Sequence, residues 1–340
     1  MDYEQVIIKA REKLEGICKL HRICPCEDCI AVVPGLGGVG RAISFKKNSS
    51  ELAKYTLKTT LIKANFFPDT TIDIFNKKIQ FPILPAPMSG INTNLNGRIS
   101  EEDFIKAILN GSKSAKTLGI CGDSNDTTSD YIAPLIIKQN GEGIGVCKPR
   151  TNEEILERIK LLKKAKATAI GIDLDGIGGT MLFKNGKVSL KSIKDLKKIR
   201  SSFKGPMFLK GILSKKDVEI AHRLGFDGIV ISNHGGRVVD YAKAPSKVLP
   251  EIAKKYKGKI KILVDGGVKS GYDVFILLAL GADAVLIGRS ILYGAIGNGE
   301  EGVKTVFEKF ASELKKAMVF TGCKTIKEIN QNKIEKDDDF

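Results

Sequence analysis

The stretch GIVISNHGGRVVD, Gly228 to Asp240, closes an apolar run with Ser232, Asn233 and His234, then two glycines and Arg237. The chain has only 3 histidines, so one set three residues ahead of an arginine asks for a chemical reason. A neutral imidazole can take a proton, and a guanidinium grips a carboxylate in two places. Gly235 and Gly236 permit a sharp turn between them. Lys210 ends a separate apolar run, GPMFLKG, and adds a cation. These residue types describe an organic-acid site beside a general base. His21 and His222 lack such company, and His222 sits inside a helical pattern that gives it a structural reading.

A second chemistry is written into VDGGVKSG and LIGRS. Glycines directly after an apolar run let backbone N–H groups approach a phosphate, and the start of the next helix favours the negative charge. Lys269 and Arg289 add cations to these two loops. The pattern predicts phosphate binding there.

Both chemistries need a scaffold that brings distant segments together. From about residue 79, short apolar runs alternate with helical patterns. The runs are IQFPILPAP, AKTLGICG, GEGIGVC, ATAIGIDLD, GPMFLKG, FDGIVIS, KIKILVDGG and ADAVLIGR. Several are apolar throughout, as strands buried on both faces are. Segments such as SEEDFIKAILNG, with Ser100 as cap, and SKKDVEIAHRLG, stopped by Gly225, supply the helices. Eight such units predict a closed (β/α)8 barrel, with an open doubly wound sheet as the alternative. A barrel carries function at the C-terminal ends of its strands. The unusual residues fall there: Pro85, Ala86, Pro87 and Ser89 after the first strand, Asp173 and Asp175 after the fourth, Lys210 after the fifth, Ser232 to His234 after the sixth, Asp265 to Gly267 after the seventh, and Gly288 and Arg289 after the eighth.

The bulk numbers fit this reading. A chain of 340 residues suits one such barrel with an added segment, and an apolar fraction of 42% supplies a core. The formal charge of +16 is spread over helix faces without a basic tail, which argues against nucleic acid. No apolar run reaches the length of a membrane span, and MDYEQVIIKAREKLEG reads as a charged amphipathic helix, not a signal peptide. A cytoplasmic location follows as the expectation. The division expected is an N-terminal helix and Cys/Gly-rich segment over 1–45, then the barrel over 46–340.

Within the N-terminal segment, Cys18, Cys24, Cys26 and Cys29 lie close together. Thiolates at this density can hold zinc or an iron–sulfur cluster, form a redox-active group, or stand as ordinary reduced cysteines. Their spacing matches no standard finger or ferredoxin pattern. GLGGVG in the same segment matches G-x-G-x-x-G, but no strand–helix–strand unit surrounds it. A loop folding over the barrel mouth is the better reading.

The segments SNHGGRVVD, LKGI, DGGVKSGYDV and GADAVLIGRS resemble the signature segments of the FMN-dependent α-hydroxy-acid oxidase and dehydrogenase family, of which glycolate oxidase and lactate oxidase are members. The likeness spans roughly residues 79 to 320. It implies FMN as cofactor and oxidation of a small L-2-hydroxy acid to the 2-oxo acid. Carried over by position, His234 is the base, Arg237 binds the substrate carboxylate, and Lys210 lies beside the flavin N1–C2=O edge. Asp175 is the acid that orients His234. Ser232, Ala86, Pro87 and Ser89 contact the flavin, while Asp265, Gly267, Lys269, Gly288 and Arg289 form its phosphate and ribityl site. The sequence departs from the family at several points. Gly143 and Gly145 stand where relatives carry Gln and a substrate-contacting Tyr, Asp173 where Thr is usual, and Met88-Ser89 where Thr-Ala is usual. The electron acceptor, whether oxygen, a quinone or a carrier protein, is left open, and a homotetramer is what the resemblance suggests. The alternatives are a flavin barrel of other chemistry, similar to type 2 isopentenyl-diphosphate isomerase, and a non-catalytic flavin- or phospholigand-binding protein.

Overall fold

The computed structural model describes residues 1–21, 24, 36–123, 132–178 and 188–337, apart from the side chains at 92 and 93. Eight parallel strands form the centre: β1 (Ile83–Pro85), β2 (Gly119–Gly122), β3 (Gly143–Cys147), β4 (Ala169–Asp173), β5 (Met207–Ile212), β6 (Gly228–Ile231), β7 (Lys261–Val264) and β8 (Ala284–Ile287). They are the eight runs expected from sequence. Their hydrogen-bonded order is β1-β8-β7-β6-β5-β4-β3-β2. A parallel bridge between Met88 and Cys121 joins the two ends, with Gly122 N donating to Met88 O at 3.2 Å. The chain is a (β/α)8 barrel.

Alternation along each strand divides the core. One series, Leu84 and Ala86, Ile120, Ile144 and Val146, Ala169, Phe208, Val230, Leu263, Ala284 and Leu286, packs together inside the barrel. The other, including Cys121, Cys147, Ile170, Ile172, Leu209, Ile229, Ile262 and Val285, meets the helices. Both faces are apolar, which is why the runs read as continuous. Gly171 makes room for Phe208: a Cβ there would lie 2.5 Å from its ring. Phe208 stacks on Phe75 at 5.5 Å. Phe75 lies at the tip of the Ile72–Ile74/Lys77–Ile79 hairpin, where Phe75 and Asn76 both have positive φ, as a type I′ turn requires. This hairpin plugs the N-terminal end of the barrel.

Ten helices bear on the argument: α1 (Tyr3–Lys13), α2 (Ile43–Ala53), α3 (Glu101–Ser114), α4 (Ile132–Lys138), α5 (Asn152–Lys164), α6 (Ile193–Ser201), α7 (Lys215–Arg223), α8 (Pro245–Tyr256), α9 (Gly271–Ala279) and α10 (Arg289–Thr321). Ser100, Thr151, Ser192, Ser214 and Ser270 cap α3, α5, α6, α7 and α9 through their side chains. Gly225 ends the turn after α7 at φ +77°, as expected. α10 is interrupted at Asn298 and Gly299, and its first part holds α1: Lys13 Nζ donates to Ile296 O at 2.8 Å.

α2 has no side-chain cap of its own. Asp240, from the loop after β6, supplies one by accepting from the N–H groups of Arg41 and Ser44, each at 2.9 Å. A carboxylate at a helix N-terminus suits the helix dipole. Although burial opposes it, these backbone bonds hold Asp240 below its usual pKa. The stretch that opened the sequence reading therefore ends on the residue that fastens the N-terminal segment over the barrel mouth.

Candidate active site

The polar residues at the mouth follow from the same alternation. One step past the apolar inward series comes Lys148 after β3, Asp173 on β4, Lys210 on β5, Ser232 after β6, Asp265 after β7 and Gly288 after β8. Register pairs Cys147 with Ile172 and Asp173 with Lys210, so Lys148, Asp173 and Lys210 are neighbours in one layer. On β3 this corrects the positional carry-over. A Cβ at Gly145 would lie 2.5 Å from Leu162 in the helix layer, and one at Gly143 would meet Ile136. Those two glycines face outward, and the inward positions are Ile144, Val146 and Lys148.

Lys210 Nζ donates to Asp173 Oδ1 at 2.8 Å and to Asp175 Oδ1 at 3.3 Å. It lies 3.2 Å from His234 Nδ1. His234 Nδ1 is 3.1 Å from Asp175 Oδ1 and 3.7 Å from Asp173 Oδ2. Burial alone would push Lys210 toward its neutral form, but Asp173, Asp175 and Asp265 outweigh it and raise its pKa. Burial likewise opposes charge on Asp175, yet Lys210 and His234 hold it well below the usual carboxylate range. Lys210 is thus an ammonium and Asp175 a carboxylate. Asp265 accepts from Ser232 Oγ at 2.9 Å, and its burial raises its pKa.

Asp173, Asp175 and His234 also bring three potential ligand atoms within 4.8 Å of one another. The Lys210 ammonium lies among them and already supplies the positive charge that a metal ion would bring.

The His234 turn is strained. His234, Gly235 and Gly236 have φ of +56°, +66° and +77°, and the left-handed region costs a side-chain-bearing residue about 1–2 kcal/mol. Such strain persists where surroundings enforce it, commonly at functional sites. Ser232 Oγ accepts from His234 N at 3.0 Å, and Asn233 Oδ1 accepts from Gly236 N at 3.2 Å. Asn233 and Asn48 of α2 form a buried reciprocal amide pair at 2.7 and 2.9 Å. A Cβ at Gly236 would lie 2.5 Å from Phe45 N, and one at Gly267 would lie 2.5 Å from Asn48 O. Both glycines therefore let α2 approach, a demand that motif spacing did not reveal.

Arg237 has a half-spent guanidinium. NH2 donates to Asn94 Oδ1 at 3.3 Å, while its buried Nε has no hydrogen-bond partner. Burial, then the charge of Arg289, lowers its pKa to about 10, which leaves it protonated near neutrality. Asp175 Oδ2 and Asp265 Oδ1 are likewise buried without partners. Arg289 donates from Nε to Leu36 O at 2.7 Å and from NH2 to Gly235 O at 3.2 Å, with its guanidinium 4.4 Å from the Phe45 ring. It ties the N-terminal loop to the His234 turn. Lys269 is exposed at the rim.

These features fit FMN. A Cβ at Gly288 would meet nothing closer than Ala86 Cβ at 3.8 Å, so the floor between β1 and β8 is built from small groups. α10 starts without a side-chain cap, and among the described residues the N–H groups of Gly266, Gly267 and Val268 have no acceptor. Such N–H groups and an open helix N-terminus suit a phosphate. Ser89 Oγ donates to Asp123 O at 2.5 Å, which fixes the turn that continues Ala86 and Pro87.

The cysteine expectation is described only in part. Cys18 Sγ lies 4.0 Å from Tyr293 Oη, and Cys24 packs against Ala42 and Phe45. Cys26 and Cys29 lie outside the described residues. Sequence reasoning placed Asp173 at the mouth without assigning it a role, and did not select Lys148 or Asn48. The inward period of the strands would have found Lys148; only the tertiary contact shows Asn48.

Eight parallel strands, a basic and acidic cluster at their C-terminal ends and phosphate-suited loops after β7 and β8 define a barrel with the makings of a flavin site. Residues 179–336 match the FMN-dependent dehydrogenase family. An L-lactate dehydrogenase of Pseudomonas putida is 49% identical over 143 residues, 42% of this chain and 38% of that protein. A peroxisomal (S)-2-hydroxyacid oxidase of Arabidopsis thaliana is 47% identical over 143 residues, 42% of this chain and 39% of that protein. The matched stretch thus spans about two fifths of these curated relatives. A mandelate oxidase crystallised with 2-hydroxy-phenylacetamide superposes with a TM-score of 0.79 at 25% identity, over 96% of this chain and 95% of that one. Another, carrying a monooxide FMN adduct, gives 0.74 at 25% identity, over 89% and 93%. The C-terminal half of the barrel thus carries the sequence pattern of the FMN-dependent dehydrogenases, and the whole chain shares the fold of the mandelate oxidases.

Proposed function

We propose that the protein oxidises a small L-2-hydroxy acid to the 2-oxo acid, with FMN held by Lys210, Ser232, the Ala86–Ser89 turn and the loops after β7 and β8. The observation that carries this reading is the contact of His234 Nδ1 with the Asp175 carboxylate at 3.1 Å, beside an Arg237 with unspent donors. FMN, when bound, accepts the two electrons that leave the α-carbon.

The residues divide the remaining work. Arg237 holds the substrate carboxylate through Nε and its neighbouring N–H groups, which suit two-point capture. Asp175 keeps the Nδ1–H tautomer of His234, so the Nε2 lone pair is free to take a proton from the substrate. The same carboxylate stabilises the imidazolium that forms. Lys210 neutralises Asp173 and Asp175 and places positive charge at the strand end where the flavin edge would lie. The N-terminal loop, tied down through Arg289 and Asp240, shields the mouth from water.

Among the described residues no helix is long and apolar enough to cross a membrane. A cytoplasmic location and a homotetramer belong to the same proposal; light scattering on the FMN-loaded protein tests the latter. The main test is an anaerobic visible spectrum of the FMN-loaded protein, before and after addition of a panel of L-2-hydroxy acids. Bleaching of the flavin bands by at least one acid is expected. Bound flavin that no acid bleaches would overturn the activity, and failure to bind FMN would overturn the cofactor assignment.

A further inference from the structure

Lys148 is the charged mouth residue for which neither the motifs nor the proposed roles account. It follows β3, whose inward positions are Ile144 and Val146. The strand period turns Lys148 inward as well, and register sets it beside Asp173. Its backbone N donates to Asp123 Oδ2 at 3.2 Å, which fixes where the side chain starts. Its ammonium makes no hydrogen bond or ion pair among the described residues.

The neighbouring acids are already engaged. Asp173 is spent on Lys210 at 2.8 Å, and Asp123 on Arg150 at 2.8 Å and Arg158 at 3.2 Å. The groups that act on Lys148 are Asp173 and Asp123, which favour its charge, and Arg237 and Arg150, which oppose it; burial and these two cations outweigh the acids and lower its pKa. An ammonium in this position is costly unless an anion joins it. Arg237, which acts electrostatically on Lys148, is a second mouth cation with an unspent donor.

We propose that Lys148 is a second anion-binding residue of the substrate site, acting with Arg237 on the carboxylate of the 2-hydroxy acid. It supplies from β3, as a cation, a polar substrate contact that neither outward-facing glycine of that strand can provide. The inference rests on the hydroxy-acid reading for the identity of its ligand, but not for its placement. Two cations at the ends of β3 and β6 define a stronger carboxylate trap than Arg237 alone, and one that a neutral hydroxy amide or ester cannot satisfy.

The test uses the FMN-loaded full chain and the Lys148→Met and Lys148→Arg variants. In anaerobic flavin reduction by an L-2-hydroxy acid, Lys148→Met should raise the apparent Kd about tenfold or more, the loss expected for one charge-assisted contact. The limiting reduction rate should stay within about threefold. Lys148→Arg should restore most of the affinity. In parallel, perturbation of the oxidised flavin bands by the inert dicarboxylate oxalate reads binding without turnover, and Lys148→Met should weaken it by a similar factor. Unchanged Kd values in Lys148→Met would overturn the proposal. So would loss of FMN or a shifted ligand-free flavin spectrum, which would place Lys148 on the cofactor instead. If no hydroxy acid reduces the flavin but oxalate binding still depends on Lys148, the hydroxy-acid reading fails and the anion site stands.

Discussion

Two buried charge clusters lie at the top of the same barrel and use their atoms differently. In the first, Asp123 after β2 is clasped by Arg150 Nε at 2.8 Å and Arg158 Nε at 3.2 Å, and it also accepts from the backbone of Lys148. Arg150 is fully buried. In the second, Lys210 joins Asp173, Asp175 and His234, but Asp175 Oδ2, Asp265 Oδ1 and Arg237 Nε are left without partners. The first cluster turns its charges on one another and holds two loops. The second points spare donors and acceptors into a shared mouth. Burial of charge alone does not mark a site, since both clusters are buried; what sets the second apart is that its spare acceptors and donor, on Asp175, Asp265 and Arg237, come from the ends of three different strands.

The largest effect that would sharpen this contrast falls on His234. Replacing it with Ala should lower the rate of flavin reduction by about 10²–10⁴-fold while FMN stays bound. Stopped-flow absorbance checks this; a rate near wild type would remove His234 as the base. Arg150→Met, in the first cluster, should act on stability instead. Leaving Asp123 buried with a partner removed costs about 3–5 kcal/mol, read by urea denaturation, with flavin reduction retained by the folded protein. If Arg150→Met abolished reduction without loss of stability, the division between the clusters would collapse.

Asp175 and Asp265 separate the terms within the second cluster through opposite pH responses. Asp175 is held below its ordinary pKa, so its contribution is present above the unfolded value near 3.8 and fades as pH falls below it. The wild type should therefore lose stability more steeply than Asp175→Asn as pH drops from about 5 to 3. Asp265 is raised, so its charged form is disfavoured in the folded chain and stability falls as pH rises through the carboxylate range. Asp265→Asn should flatten that fall and leave the protein at least as stable at pH 7. Chemical denaturation across this range reads both, and like-signed responses would refute the assignment.

The smallest effect is expected at Asn48. Asn48→Ala removes one of the partners on each side of the buried Asn233 amide, which keeps Lys243 O and Gly236 N, at a cost of about 1 kcal/mol. It should also slow flavin reduction modestly, because Asn233 anchors the turn that carries His234. Normal kinetics in a destabilised Asn48→Ala would confine that pair to packing.

Much of this was legible in the sequence, for stated reasons. The eight strands were readable because parallel strands buried on both faces leave long apolar runs, and one helix start because Ser100 sits where the cap falls; Thr151, Ser214 and Ser270 cap their helices in the same way in the structure. The cluster of His234, Lys210 and Asp175 was legible because strand ends converge in a barrel whatever their separation along the chain. The outward turn of Gly143 and Gly145 was not: a short motif aligned by position carries no phase, and one residue of shift reverses the face.

The sequence by itself determined the barrel, the mouth at which its chemistry collects and the residue types gathered there, because period, capping and strand-end position are local properties. Only the tertiary structure decided that Asp240 caps a helix nearly 200 residues earlier, that Asn48 braces the His234 turn and that Gly236 and Gly267 yield to α2. It also decided which buried charges are spent and which are free. These are matters of distance between segments far apart in the chain, set by how the N-terminal segment packs across the mouth, and no local pattern encodes them.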